Sequence, residues 1–227
     1  MRYRVILFDN DDTLMDFQTG NRNAVNNLLD EAGYLHPDRY EQYEEINLAC
    51  WAALERGEMT QEQLRVERFV RFFARYAIPG DPLWAADRFV ELLGEQSILL
   101  PHVEETVRRI AEKLPVVVVT NGITAIQKNR FARSPLGDVI HSLVISQEAG
   151  VSKPRPELFL LALKPFGAAP REALMIGDGV NSDIRGANNA GIDACWYNPA
   201  GKPLPDGVHA EYTVRDIRDC AAVALQA

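Results

Sequence analysis

The sequence predicts an α/β protein: a doubly wound parallel sheet interrupted by an all-helical insertion. Three observations lead there. Short unbroken apolar runs at 5–8, 116–119 and 173–176 are bounded by polar residues, as expected of strands buried on both faces of a parallel sheet. Beyond residue 103 such runs alternate with helix-period stretches, which implies right-handed crossovers. Between the first run and the second, residues 21–94 read as helix alone. The expected arrangement is a Rossmann-like core from residues 1–17 and 98–227, with residues 18–97 as a helical cap.

Composition sets the outer bounds. The chain has 227 residues, 47% of them apolar and 25% charged, which suits a globular protein with ample core material. Its 24 basic residues face 32 acidic ones, net −8, so there is no general attraction to nucleic acid or to an anionic membrane. An anionic substrate then needs a local positive group or a metal. Cys50, Cys195 and Cys220 are too few and too scattered for a disulfide framework or a zinc site. Reduced thiols, no leader-like opening and no apolar run of spanning length lead to the expectation of a cytoplasmic protein.

The first strand, Val5-Ile6-Leu7-Phe8, runs into Asp9-Asn10-Asp11-Asp12-Thr13, and residues 14–20 read as a loop. Three- and four-residue apolar spacings then mark four helices, separated at Gly33, Gly57 and Pro79-Gly80. Thr60 with Gln63 reads as a capping box, and Asp81 before Pro82 as an N-cap with proline in the first turn. A helix is predicted over 103–114, then the strand Val116 to Val119 ending in Thr120-Asn121-Gly122. Helix 123–133, strand 139–145, the loop carrying Lys153-Pro154 and helix 157–163 follow. Strand 173–176 ends in Gly177-Asp178, helix 181–191 leads to strand 192–197, and Thr213 with Asp216 is read as the cap of a last helix.

The chemistry-bearing residues fall just after predicted strands. Asp9 and Asp11 follow the first, Thr120 and Asn121 the second, and Asp178 and Asp183 the fourth, while Lys153 lies in the loop after the third. Ligands of open α/β sheets bind at the strands' carboxyl ends. A surface turn is the alternative for 9–13 alone, since Asn and Asp form turns readily. The convergence of separate stretches favours a site.

These residues resemble the haloacid dehalogenase-like hydrolases along essentially the whole chain. That family carries aspartate-x-aspartate-x-threonine after its first strand (Asp9, Asp11, Thr13), then a hydroxyl residue ending a strand (Thr120), a lysine before proline (Lys153) and an acidic pair (Asp178, Asp183). The resemblance implies Asp9 as nucleophile through an aspartyl-phosphate and Asp11 as general acid and base. It implies Mg²⁺ held by the side chains of Asp9 and Asp178 and the backbone carbonyl of Asp11, with Asp183 and Thr13 in support. Phosphoryl oxygens would meet Thr120, Lys153 and the amides of Asn121 and Gly122. Dehalogenases of the family lack the Asp11 partner and its ATPases carry threonine there, so Asp11 points to a phosphatase, less often a phosphomutase. Asn10 departs from the usual apolar residue at its position and carries no assigned role.

Further stretches are similar to the pyrimidine 5′-nucleotidase branch: Asn47 with Trp51, Gly57 with Thr60, Arg68-Phe69, 144–154 and Cys195-Trp196-Tyr197-Asn198. The implied substrate is a pyrimidine nucleoside monophosphate, with the cap acting as a lid hinged at 14–20 and 95–101. A sugar-phosphate or phosphoglycolate phosphatase on the same core is the alternative. A phospho-accepting receiver domain is a reading of another class, against which stand this chain's length and its helical insertion. Other residues take structural readings. Cys195 and Trp196 read as core, Trp51, Phe69, Phe72 and Phe73 as cap packing, and His102 as a surface or hinge residue. Arg65, Arg68, Arg71 and Arg75 read as a solvated helix face.

Overall fold

A computed structural model describes residues 1–226, the side chain of Glu55 excepted. The described residues form two compact units, one of 1–17 with 97–226 and one of 18–96. The first is built on six parallel strands: β1 (Val5–Phe8), β2 (Val116–Thr120), β3 (Ser142–Ile145), β4 (Ala173–Gly177), β5 (Asp193–Tyr197) and β6 (Tyr212–Val214). Their spatial order is β3-β2-β1-β4-β5-β6. Ile6 pairs with Val116 on one side of β1 and with Leu174 on the other. Strand order reverses between β1 and β4, and such a switch point opens a crevice at the strands' carboxyl ends.

Alternation along each strand fills two cores. Ile6, Phe8, Val116, Val118, Leu174 and Ile176 face one side of the sheet. There they meet Val103, Val107 and Ile110 of α5 (Val103–Ala111) and Cys220, Ala221 and Ala224 of α10 (Asp219–Ala224). Val5, Leu7, Val117, Val119 and Met175 face the other, against Leu158, Phe159 and Ala162 of α8 (Pro156–Leu163) and Ala187 of α9 (Arg185–Ala190). The remaining α-helices among this unit's described residues are α6 (Thr124–Arg133) and the single turn α7 (Ser146–Ala149). A sheet covered on both faces explains why its strands read as unbroken apolar runs.

The second unit is helical throughout: α1 (Phe17–Glu31), α2 (Arg39–Glu55), α3 (Gln61–Tyr76) and α4 (Pro82–Gly94). Thr60 and Gln63 form the capping box on α3, and the Asp81 carboxylate accepts from the Leu83 amide at the start of α4. Aromatic rings fill its centre. Tyr43 stacks on Phe69 at 5.5 Å and meets Phe72 edge-on at 5.8 Å.

Several expectations need correction. Helix α1 starts at Phe17, so the loop ends four residues earlier than the sequence suggests; the Asp12 carboxylate accepts the Phe17 amide there. Thr213 caps nothing: it lies within β6, and the last helix starts at Asp219. Trp51 is an exposed side chain and not part of the helical unit's packing. Arg68 is buried, with its guanidinium 4.5 Å from the Phe89 ring centre and donating to Asn47 Oδ1 at 3.3 Å, so the arginine row is not uniformly solvated.

Helix α9 approaches α8 through Gly186. A Cβ there would lie 2.4 Å from the Phe159 ring and 3.2 Å from the Pro154 backbone. Gly186→Ala should therefore cost about 1–3 kcal/mol through overpacking, lowering the melting temperature by about 2–4 °C per kcal/mol. Thermal unfolding followed by circular dichroism checks this; an unchanged midpoint would mean that the contact yields without cost.

Candidate active site

The site grows from the ends of β1, β2 and β4. The Asp9 amide donates to Ile176 O at 2.9 Å, tying the first residue beyond β1 to β4. The chain then folds back on itself: the Asn10 carbonyl accepts the amides of Leu14 at 2.8 Å and Met15 at 2.9 Å. Asp12 sits in the left-handed region at φ 60°, a conformation aspartate tolerates better than most residues. This turn brings Thr13 to β4. Its hydroxyl donates to Asp178 Oδ1 at 3.0 Å and accepts the Asp178 amide at 3.0 Å.

Beyond β4, the Gly179 amide donates to Asp183 Oδ2 at 2.9 Å, and Trp196 Nε1 donates to the Asp178 carbonyl at 3.0 Å. Asp183 is fully buried. One oxygen from each of Asp9, Asp178 and Asp183 lies within 4.8 Å of the others. Lys153 is the cation among them. Its Nζ lies 2.5 Å from Asp9 Oδ1 and 2.7 Å from Asp183 Oδ1, and donates to the Val119 carbonyl at 2.8 Å.

Asn121 fixes that lysine. Its side chain accepts the Lys153 amide at 2.8 Å and donates to the Lys153 carbonyl at 3.1 Å. The phosphate role expected of Asn121 belongs to its backbone amide, which these side-chain bonds leave unaffected. Thr120 is buried at the end of β2, where its hydroxyl accepts the Gly122 amide at 3.1 Å. Asp11 stands apart from the carboxylate group. Its oxygens accept from Gln127 Nε2 at 3.0 Å, from Asn10 Nδ2 at 3.3 Å and from the Arg130 guanidinium. Gln127 and Arg130, on α6, are functional candidates that sequence reading missed. The available signal was two polar residues at helical spacing within the buried stripe of Ile126 and Phe131.

Crowding shows in the electrostatics. Burial, then Asp183, pushes the Asp178 carboxyl up to about 6. Asp9 is raised by burial and by Asp183, against the pull of Lys153. Burial alone would lower Lys153, but Asp183 and Asp9 together outweigh it and raise the ammonium. Three grouped carboxylates, of which the one ammonium pairs with two, leave uncompensated negative charge. An all-oxygen acidic group of this kind suits a hard divalent cation. In this grouping Asp183 stands with Asp9 and Asp178, while Asp11 adds no carboxylate to it.

Residues 3–191 match the family model for the haloacid dehalogenase-like hydrolases. The chain belongs to that family. Among curated relatives, pyrimidine 5′-nucleotidase PynA of Streptococcus pneumoniae is 32% identical over 97% of this chain and 95% of its own. Pyrimidine 5′-nucleotidase YjjG of Escherichia coli is 31% identical over 96% of each. A crystal structure of the hydrolase YfnB from Bacillus subtilis, bound to magnesium and revealing interdomain movement, superposes with a TM-score of 0.89 over 100% of both chains at 29% identity.

The raised Asp178 carboxyl sets a direction for pH. Its folded value of about 6 lies above the unfolded 3.8, so the folded, metal-free protein binds this proton more tightly. The resulting stability is fully present below about pH 4 and is lost as pH rises through 6. A divalent cation should restore it by binding the folded state. The rise in melting temperature on adding the cation should be larger at pH 7.5 than at pH 5, where protons compete. Differential scanning calorimetry on chelator-treated protein measures both; an equal rise at the two pH values would count against a carboxylate cation site.

Proposed function

We propose that the protein is a Mg²⁺-dependent phosphomonoesterase acting on nucleoside monophosphates, pyrimidine 5′-nucleotides foremost. The observation that carries the chemistry is the convergence of Asp9, Asp178, Asp183 and Lys153 at the switch point of the sheet, with Asp11 on the same loop as Asp9. The naming of PynA and YjjG supports the substrate class. Asp9, Asp178 and Asp183 would hold Mg²⁺, which would supply positive charge against the carboxylates and the substrate phosphate.

In this reading an Asp9 carboxylate oxygen attacks phosphorus, forming an aspartyl-phosphate as the bond to the ester oxygen breaks. Asp11 delivers a proton to that departing oxygen. It then takes a proton from the water that attacks the aspartyl-phosphate, so each turnover returns both carboxylates to their starting states. Lys153 and the Thr120 hydroxyl hold phosphoryl oxygens, and Asn121 keeps Lys153 in place. Thr13 plays the same part for Asp178. These groups address only the phosphoryl end of the substrate. Three buried thiols and the absence, among the described residues, of any helix long and apolar enough to cross a membrane agree with a cytoplasmic setting.

Asp9→Asn should abolish turnover while the protein stays folded, because an amide cannot attack phosphorus and its neutrality relieves crowding around Asp183. Asp11→Asn should lose about 10²–10⁴-fold, the usual worth of a general acid or base. Steady-state phosphate release on purified, Mg²⁺-loaded protein reads both, and near-normal turnover by Asp9→Asn would rule out the covalent route.

For the substrate, kcat/KM for dUMP and dTMP should exceed that for dAMP, glucose 6-phosphate and phosphoglycolate at one Mg²⁺ concentration. A sugar phosphate or phosphoglycolate ranking first would replace the nucleotide assignment and leave the phosphatase chemistry in place.

A further inference from the structure

Three polar side chains beside the site are almost fully buried. Asn10, Gln127 and Arg130 are 0%, 2% and 1% exposed. Asn10 Nδ2 donates to Gln127 Oε1 at 2.6 Å and to Asp11 Oδ1 at 3.3 Å. Gln127 Nε2 donates to Asp11 Oδ2 at 3.0 Å, and Arg130 Nη1 pairs with Asp11 Oδ1. Both Asp11 oxygens are thus held, from two directions, by donors on α6 and on the Asp11 loop itself. The ring closes on itself, since one amide of Asn10 orients the very glutamine that holds the second oxygen.

Gln127 also crosses to the loop after β2. A Cβ on Gly122 would lie 2.2 Å from Gln127 Nε2 and 2.7 Å from its Cγ, so the glutamine lies flat over the bare Gly122 backbone. Only glycine at 122 admits it. The loop that follows Thr120 and the loop carrying Asp11 are therefore coupled through one side chain.

Stability is a poor reason for this arrangement. Replacing a buried ion pair by apolar groups of similar volume is often neutral or stabilising. What such a network adds is a fixed geometry, because Asn10 Nδ2 and both ends of the Gln127 amide each meet a set partner. We infer that Asn10, Gln127 and Arg130 are positioning residues for Asp11, holding its carboxylate where it meets the departing ester oxygen. They act through Asp11 and touch no reacting atom. This rests on the phosphatase reading above.

The test uses the dependence on the leaving group. As the phosphorus–oxygen bond breaks, a poor leaving group needs the Asp11 proton, whereas p-nitrophenolate departs as the anion without it. First-turnover release of the leaving group isolates this step from hydrolysis of the aspartyl-phosphate. It would be followed with the full-length, Mg²⁺-loaded protein on a series of phosphate monoesters running from p-nitrophenyl to simple alkyl. Gln127→Met keeps the volume and removes the donor. It should slow alkyl esters by about 10–100-fold, the scale expected when a catalytic group is misplaced by about 1 Å, and p-nitrophenyl phosphate by less than about 3-fold. Asn10→Leu, nearly isosteric, should steepen the leaving-group dependence in the same sense and serves if the first variant fails to fold. In an Asp11→Asn background neither change should steepen it further.

Equal slowing of every ester by both variants would overturn the inference and leave the phosphatase assignment untouched. So would a further steepening in the Asp11→Asn background. A wild-type protein that releases no leaving group from any ester would instead remove the phosphatase reading, and the inference with it.

Discussion

One ammonium group holds this site together. Lys153 Nζ sits between Asp9 and Asp183, with Asp178 close by, at the carboxyl ends of three central strands. Burying carboxylates is costly unless they are paired and hydrogen-bonded. Here a single cation pairs with two of them while the third, Asp178, stands beside that pair, and the surrounding structure reads as the means of keeping it there. Asn121 grips the Lys153 backbone with both ends of its amide, the Val119 carbonyl accepts from the ammonium, the Gly179 amide caps Asp183, and Thr13 both donates to and accepts from Asp178. The net excess of negative charge is the functional residue of this balance. A protein that fully neutralised its own carboxylates would have little left with which to bind a cation.

The sheet supplies the register this balance needs. β1 runs between β2 and β4 with unbroken parallel pairing, so Asp9, Thr120 and Asp178 emerge at neighbouring strand ends. A one-residue slip would turn each strand's side chains to the opposite face. The two hydrophobic cores prevent this, because Ile6 and Phe8 belong to one and Val5 and Leu7 to the other. Apolar packing remote from any reacting atom thereby fixes where the carboxylates stand.

Much of this was legible in the sequence because its signals are local. An apolar run ending in Asp-x-Asp-x-Thr, a threonine closing a valine run and a lysine before proline each carry their own context. Losses came where the deciding interaction is tertiary. Thr213 looks like a cap in sequence, but its backbone joins β5 through the pairing of Trp196 with Thr213, which no local pattern encodes. Arg68 was misread as part of a solvated face, and Arg130 drew no reading at all. Charge at helical spacing ordinarily means a solvated face, yet each guanidinium here is buried against a specific partner, Asn47 and the Phe89 ring for one and Asp11 for the other. Trp51 failed in the opposite direction, an apolar side chain left at the surface.

The two aspartates of the first loop show why such partners matter. Asp9 and Asp11 are separated by one residue, and like charges so close would repel. The tight turn on the Asn10 carbonyl sends their side chains apart, so that each finds its own cation, Lys153 for Asp9 and Arg130 for Asp11. Carboxylates placed in different surroundings can take different roles in one reaction. In the proposed chemistry one forms a bond to phosphorus and the other moves a proton, and they must do so without exchanging parts. Asn10 lies at the hinge of this separation. Its carbonyl closes the turn that diverges the pair, while its side chain joins the network that fixes Asp11. An apolar residue could serve the first purpose through its backbone but not the second, which is the physical content of an asparagine at that position.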